Sequence, residues 1–220
     1  MSSNTAIVFG STGLVGTELL NLLIDDNYWT KAEVFLRQAL PITSPKIIQH
    51  VTNFDQIDKY AHLIKGDVIF ICLGTTIKTA GSQDAFRYVD YELPVKVATL
   101  AHENGVKRLV LISSLGANSN SSNFYLRTKG EVEEKIKTIG FSHYYFLRPS
   151  LLLGSRREKR FGEKLGKVFM QTFKIALRGK LRKYRGVQAS DVAKAMNLVI
   201  QKGLNENIIE SEKIIEMTQI

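Results

Sequence analysis

Thr5-Ala6-Ile7-Val8-Phe9-Gly10-Ser11-Thr12-Gly13-Leu14-Val15-Gly16 is the stretch from which the fold can be read. An apolar run, Ala6 to Phe9, enters a glycine-rich turn, and Leu14, Val15, Leu19, Leu20, Leu22 and Leu23 follow at helical intervals. The order is strand, tight turn, helix. The glycines recur as Gly10-x-x-Gly13-x-x-Gly16. Gly10 turns the chain out of the strand, Gly13 leaves room for a phosphate against the backbone, and Gly16 lets helix and strand pack closely. The first turn of such a helix offers unpaired N–H groups and the positive end of its dipole to an anion. Strand-turn-helix geometry calls for glycine on its own account; what favours a dinucleotide is that the turn follows the first strand. Gly10, Ser11, Thr12, Gly13, Leu14, Val15 and Gly16 are therefore the candidate pyrophosphate site.

Beyond the first helix, Lys31 to Arg37 reads as a second strand. Folds that prefer NAD place a carboxylate at the end of this strand for the adenosine ribose hydroxyls, about 20 residues past the fingerprint. Here that place holds Leu36 and Arg37. A guanidinium there pairs with a 2′-phosphate, which favours NADP(H) over NAD(H); the competing reading is an ordinary loop arginine. Lys46 to Val51 reads as a third strand, and Phe54 to Ile64 as a helix. The continuous apolar run Asp67 to Leu73 has the pattern of a strand buried on both faces. It ends in Leu73-Gly74-Thr75-Thr76, a small, hydroxyl-bearing loop able to pass close to a ribose. Cys72 fits the core better than a nucleophile's place, because no neighbour suggests a lowered thiol pKa.

Ser82 to Asn104 is a long helical region that Pro94 must bend or interrupt, and Val106 to Ser113 is the next buried strand. Phe141 to Leu147 is a sixth strand. Phe161 to Leu177 follows as a basic helix, Ser190-Asp191 caps another that runs to about Lys202, and Asn207 to Ile220 finishes the fold as a short strand or helix. Repeated strand-helix-strand units predict an α/β doubly wound parallel sheet with its ligand across the carboxyl ends of the strands. The expected organisation is one domain over 1–220, with about 150–190 forming a small C-terminal, substrate-side lobe.

Apolar residues make up 44% of the chain, enough for a packed core. No apolar run approaches the roughly 20 residues of a membrane helix. A single cysteine fits a reducing compartment, and Met1-Ser2-Ser3-Asn4 shows no secretory pattern, so a cytoplasmic protein is expected. His50, His62, His102 and His143 lack metal-ligand spacing, and no metal is expected. The net charge of +9 is uneven: residues 151–185 hold twelve Lys and Arg against two Glu, leaving the remainder close to neutral. This basic 156–185 segment suits a protein partner or an anionic membrane surface, or is a solvated helix face. Nucleic acid is not favoured, since no helix-turn-helix, RNA-recognition or zinc pattern accompanies the charge.

After the polar loop Ala117 to Asn123, a helix begins near Phe124 and carries Tyr125 and Lys129 four residues apart on one face. The pattern suits carbonyl chemistry. A phenol with a reference pKa near 10 is a poor proton donor and acceptor at neutral pH, and a neighbouring ammonium favours its ionised form. The lysine can also hold the nicotinamide ribose. Ser114, at the end of the preceding strand, could orient the carbonyl oxygen. The bland alternative is a surface aromatic beside a solvated charge.

Together, the glycine turn, the serine-ended strand and Tyr125-x-x-x-Lys129 resemble the short-chain dehydrogenase/reductase superfamily. Cys72-Leu73-Gly74-Thr75-Thr76, Leu111-Ile112-Ser113-Ser114-Leu115-Gly116-Ala117, Tyr125 to Glu133 and Leu147-Arg148-Pro149-Ser150-Leu151-Leu152-Leu153-Gly154 narrow the likeness. They resemble the Tat-interacting oxidoreductase family, an atypical NADPH-binding branch. The resemblance implies a Rossmann-type fold, with cofactor phosphates on Gly10, Ser11, Gly13, Gly16 and Arg37 and a ribose along Leu73, Gly74 and Thr75. It further implies a Ser114–Tyr125–Lys129 triad acting on a small carbonyl or alcohol, and backbone near the nicotinamide from the Arg148-Pro149 loop. One departure is visible: many superfamily members carry a relay asparagine on the middle helix, where this chain has Val89-Asp90-Tyr91. The other implied role is an NADPH-binding regulator whose nucleotide occupancy governs a partner or membrane.

Overall fold

Strong alternation between two apolar layers organises the chain. In the computed structural model, which describes residues 4–154 and 185–219, seven strands form one parallel sheet in the order β3-β2-β1-β4-β5-β6-β9. The strands are β1 (Thr5–Phe9), β2 (Lys31–Leu36), β3 (Ile47–Val51), β4 (Val68–Ile71), β5 (Arg108–Ile112), β6 (His143–Arg148) and β9 (Ile208–Glu210). A two-stranded parallel ribbon, β7 (Leu152–Leu153) with β8 (Val187–Gln188), lies outside it.

One face of the sheet carries Ala6, Val8, Val34, Phe70, Val110 and Leu147. It is covered by α1 (Leu14–Asp25), α6 (Ala189–Lys202) and α7 (Ser211–Thr218). The other face carries Ile7, Phe9, Phe35, Ile69, Leu111 and Phe146 under α4 (Leu93–Glu103) and α5 (Phe124–Lys137). Residues that alternate along a strand thus face opposite layers, as a sheet covered on both sides requires. Trp29 donates its indole N–H to Asn197 at 2.8 Å, and Asn197 donates to Asp26, fastening the end of α1 to α6.

Strands β1 to β3 run outward to one side and β4, β5, β6 and β9 to the other, so the order reverses between β1 and β4. A ligand crevice belongs at the carboxyl ends there. The doubly wound parallel sheet read from the sequence is the fold observed.

Several local expectations need correction. The segment Phe54–Leu63 is 3-10 rather than α, with Gln56 outside helical dihedrals, although Asn53 caps its start. The long helical region is observed as read, capped at Ser82 and Asn104, and its interruption is a π turn (Tyr88–Glu92) between α3 (Gln83–Arg87) and α4, just before Pro94. A short α2 (Ile77–Ala80) precedes them. Helix α6 begins at Ala189, directly out of β8, so Ser190 lies in its first turn and is not its cap. The expected helix over Phe161 to Leu177, and all of the basic segment except Arg185, lie outside the described residues.

Candidate cofactor cleft and catalytic helix

Gly10 ends β1 with φ 84°, and a Cβ there would stand 2.5 Å from the Cys72 carbonyl carbon of the adjacent strand end. A Cβ on Gly16 would run into the Gly10 carbonyl. The protein's own packing therefore demands both glycines. Gly13 differs: a Cβ would stand 3.3 Å from Gly10 O, a tight contact rather than a collision, and Gly13 lines a cleft. Its bareness leaves the backbone open on the cleft side.

The cleft has a volume of about 1030 Å³ and runs at the carboxyl ends of β1, β2 and β4. Thr12, Gly13 and Leu14 form one wall, with Arg37 beside them and Gly74, Thr75 and Thr76 opposite. No side chain caps the first turn of α1. Among the described residues the Ser11 hydroxyl, buried in the same turn, has no hydrogen-bond partner, and neither has that of Thr52, one residue past β3. Uncapped helix amides, an unmet buried hydroxyl and a bare glycine are features that the phosphates of a dinucleotide satisfy, so the residues present fit such a cofactor.

Of the residues expected to touch it, Thr12, Gly13, Leu14, Arg37, Gly74 and Thr75 line the cleft. Gly10 and Gly16 shape the turn from behind, Val15 is core, and Leu73 packs on the apolar layer under α4 and α5. Arg37 is the first residue past β2, is exposed, and makes no ion pair among the described residues. Glu33, inside β2, pairs with Lys31 and with His50, so it is not the ribose carboxylate of an NAD site. Burial pushes the Cys72 thiol up to about 12, away from a nucleophile's range, and the half-buried side chain packs against the layer under α1 and α6.

Asn123 caps α5 by accepting the Leu126 N–H at 3.1 Å, which fixes Tyr125 in the first turn. Tyr125 is half-buried against Phe86, with ring centroids 5.7 Å apart, and its hydroxyl has no hydrogen-bond partner among the described residues. One turn on, Lys129 is 5% exposed, and its ammonium lies 2.6 Å from Asp90 Oδ1. Burial pulls the Lys129 pKa down, but Asp90, then Tyr125 and Glu133, outweigh it, and the pKa is raised. The lysine therefore stays charged, with a carboxylate already on it. The sequence gives that ammonium two tasks, favouring the phenolate and holding a ribose; the structure adds Asp90 as a further partner.

Ser114 stands two residues past β5, and among the described residues its hydroxyl meets only the Leu115 carbonyl, at 3.5 Å. Backbone bonds hold its loop: Leu115 N–H to Pro149 O at 3.0 Å and Asn118 N–H to Leu126 O at 3.1 Å. Ser114, Tyr125 and Lys129 do not line the cleft themselves. Lys129 meets it through Gly74, where a Cβ would lie 3.9 Å from the ammonium.

Two features went unseen in the sequence. Glu133, fully buried, accepts from Arg148 Nε at 2.9 Å and from Nη2 at 2.5 Å, and also from the Ser113 hydroxyl. The Arg148 guanidinium is committed to Glu133, which leaves its loop to meet a cofactor through backbone, and Pro149 accepts the Leu115 N–H of the serine loop. The second feature is the wall formed by Thr79, Ala80, Asp84, Ala85 and Tyr88. Thr76 and Ser82, each accepting an N–H three residues on, mark the helices that build it.

The sequence matches the family described as NAD(P)H-binding over residues 10–201. It is 37% identical over 173 residues to Protein HTATIP2 of Rattus norvegicus, covering 77% of this chain and 71% of that one. It is 34% identical over 220 residues to Protein FMP52, mitochondrial, of Candida glabrata, covering 97% and 89%. In fold it is similar to the NAD+ complex of the Bordetella bronchiseptica enzyme WbmH, with TM-score 0.71 at 15% identity over 95% of this chain and 75% of that one. The mitochondrial names of FMP52 proteins from several fungi overturn the cytoplasmic expectation. Cysteine usage and the lack of a secretory pattern separate intracellular from secreted chains, but not one intracellular compartment from another. By sequence match and fold, the chain belongs to the NAD(P)H-binding family as an atypical short-chain dehydrogenase/reductase.

Proposed function

We propose that the protein is an NADP(H)-dependent reductase of small carbonyl compounds, acting through Ser114, Tyr125 and Lys129. One observation carries this reading: a phenol hydroxyl with no hydrogen-bond partner among the described residues stands one helical turn from a buried, charged lysine that lies behind Gly74 of the cleft wall. When bound, the nicotinamide supplies the hydride, so the chain's own residues must bind, orient and move one proton. The Tyr125 hydroxyl gives its proton to the carbonyl oxygen during reduction and recovers it in the reverse direction. Ser114, with its hydroxyl nearly free, orients that oxygen. Lys129 holds the ribose; because Asp90 offsets its charge, this holding role comes ahead of any action on the phenol.

The test is NADPH oxidation over a panel of aldehydes and quinones. Turnover supports the reductase, whereas tight NADPH binding with no turnover on any member favours the nucleotide-dependent regulator. The fungal relatives' names support a mitochondrial address for this chain as well.

Arg37 supports NADP(H) over NAD(H), because an exposed guanidinium at the cleft, with no ion pair among the described residues, suits a 2′-phosphate. Arg37→Ala is expected to weaken NADPH binding by about 10- to 100-fold, as for loss of one charge-assisted contact. NADH, which lacks that phosphate, is expected to be little affected. Titrations of both coenzymes check this, and equal losses contradict the assignment.

A further inference from the structure

A single carboxylate joins two parts of the site that no sequence motif connects. Asp90 Oδ1 lies 2.6 Å from Lys129 Nζ, while Oδ2 accepts the Thr75 backbone N–H at 2.9 Å. Asp90 is 1% exposed, so both interactions run through a space without bulk water, where each is stronger than at the surface. The π turn (Tyr88–Glu92) puts it there: Tyr88 and Val89 line the cleft and the next residue, Asp90, is buried behind it. A carboxylate needed only to neutralise a buried lysine would have no reason to hold the Gly74–Thr76 strap as well. Oδ2 is held by a backbone hydrogen bond, whereas Oδ1 meets Lys129 as an ion pair and accepts no hydrogen bond among the described residues.

We propose that Asp90 is a positioning residue that makes the strap and Lys129 one mechanical unit, so that affinity for the nicotinamide half of the cofactor depends on the pair. The inference rests on the cofactor reading above. Sheet order decides which half is concerned. Arg37 follows β2 on one side of β1, whereas the strap follows β4, and Lys129 stands on the helix after β5, on the other side. A dinucleotide with its phosphorylated ribose at Arg37 therefore has its other half at the strap and Lys129.

The experiment is calorimetric titration of the full chain with NADPH and with 2′,5′-ADP, which lacks the nicotinamide half. Asp90→Asn keeps the side-chain shape and one acceptor while removing the charge. It is expected to weaken NADPH about tenfold or more and 2′,5′-ADP less than about twofold, the scale of one lost charge-assisted interaction. A purely structural defect would weaken both ligands alike. In a cycle with Lys129→Met, the two losses in NADPH affinity are expected to overlap rather than add. The double variant leaves no buried charge unpaired and stands in where Asp90→Asn alone folds poorly; it is then expected to match Lys129→Met for both ligands. Equal losses for the two ligands, unchanged NADPH affinity or additive losses overturn the proposal. A wild-type protein that binds neither ligand overturns the cofactor reading and this inference with it. Wild-type binding of both, with Asp90→Asn unchanged, removes the coupling alone.

Discussion

Tyr125→Phe is expected to lower kcat for carbonyl reduction by about 100- to 10,000-fold, the range lost when a positioned proton donor is removed. NADPH affinity is expected to stay near that of the wild type, because the change deletes one hydroxyl from a ring that keeps its packing against Phe86. Among the described residues the hydroxyl has no partner to leave unsatisfied, so the melting temperature should hardly move. This separates the reading from a structural role for the residue. A phenylalanine variant that turns over aldehydes or quinones at the wild-type rate would remove Tyr125 from the chemistry.

The second large effect concerns Glu133. Glu133→Ala leaves the Arg148 guanidinium without its bidentate partner and takes an acceptor from the Ser113 hydroxyl. Breaking a buried pair by deleting one member costs about 3–5 kcal/mol, several times a surface substitution. For a chain of this size that lowers the melting temperature by roughly 6–20 °C. Glu133→Ala/Arg148→Met removes both charges and is expected to recover part of the loss, since an apolar replacement of a whole pair is far less costly than half of one. Calorimetric unfolding of Glu133→Ala, Arg148→Met and the double variant checks this. Should the double variant lose the sum of both single losses, the pair is not what holds β5, α5 and β6 together.

The position of Glu133 explains why this network stayed hidden in the sequence. Tyr125 and Lys129, four residues apart on α5, were legible as a pair, and Glu133 continues their face one turn further on. Its partner Arg148 lies on β6, and nothing local ties an arginine at a strand end to a glutamate 15 residues earlier. The parallel sheet was legible for the opposite reason: apolar runs of strand length between helical repeats need no knowledge of distant partners. Arg37 was legible because its place, one residue past β2, follows from strand length.

Pro94 signalled a break in the long helix but not its kind. The break is a π turn, and that turn buries Asp90 against Lys129. Val89-Asp90-Tyr91 stood out as a departure from the superfamily's asparagine, yet only packing shows that the carboxylate answers a buried ammonium. Gln56 likewise spoils an apparently helical stretch through dihedrals that composition does not report. The Ser190 cap failed because β8 runs straight into α6, leaving no turn for a capping residue.

The most direct measurement is a crystal structure of the protein grown with NADP+. The account requires the diphosphate on the amides of the Gly13–Gly16 turn and the 2′-phosphate on Arg37. It also requires the nicotinamide end beside the Gly74–Thr76 strap, within reach of Lys129 and the Tyr125 hydroxyl. Nucleotide bound away from this cleft, or a Tyr125 hydroxyl facing bulk solvent with the nicotinamide elsewhere, would contradict it.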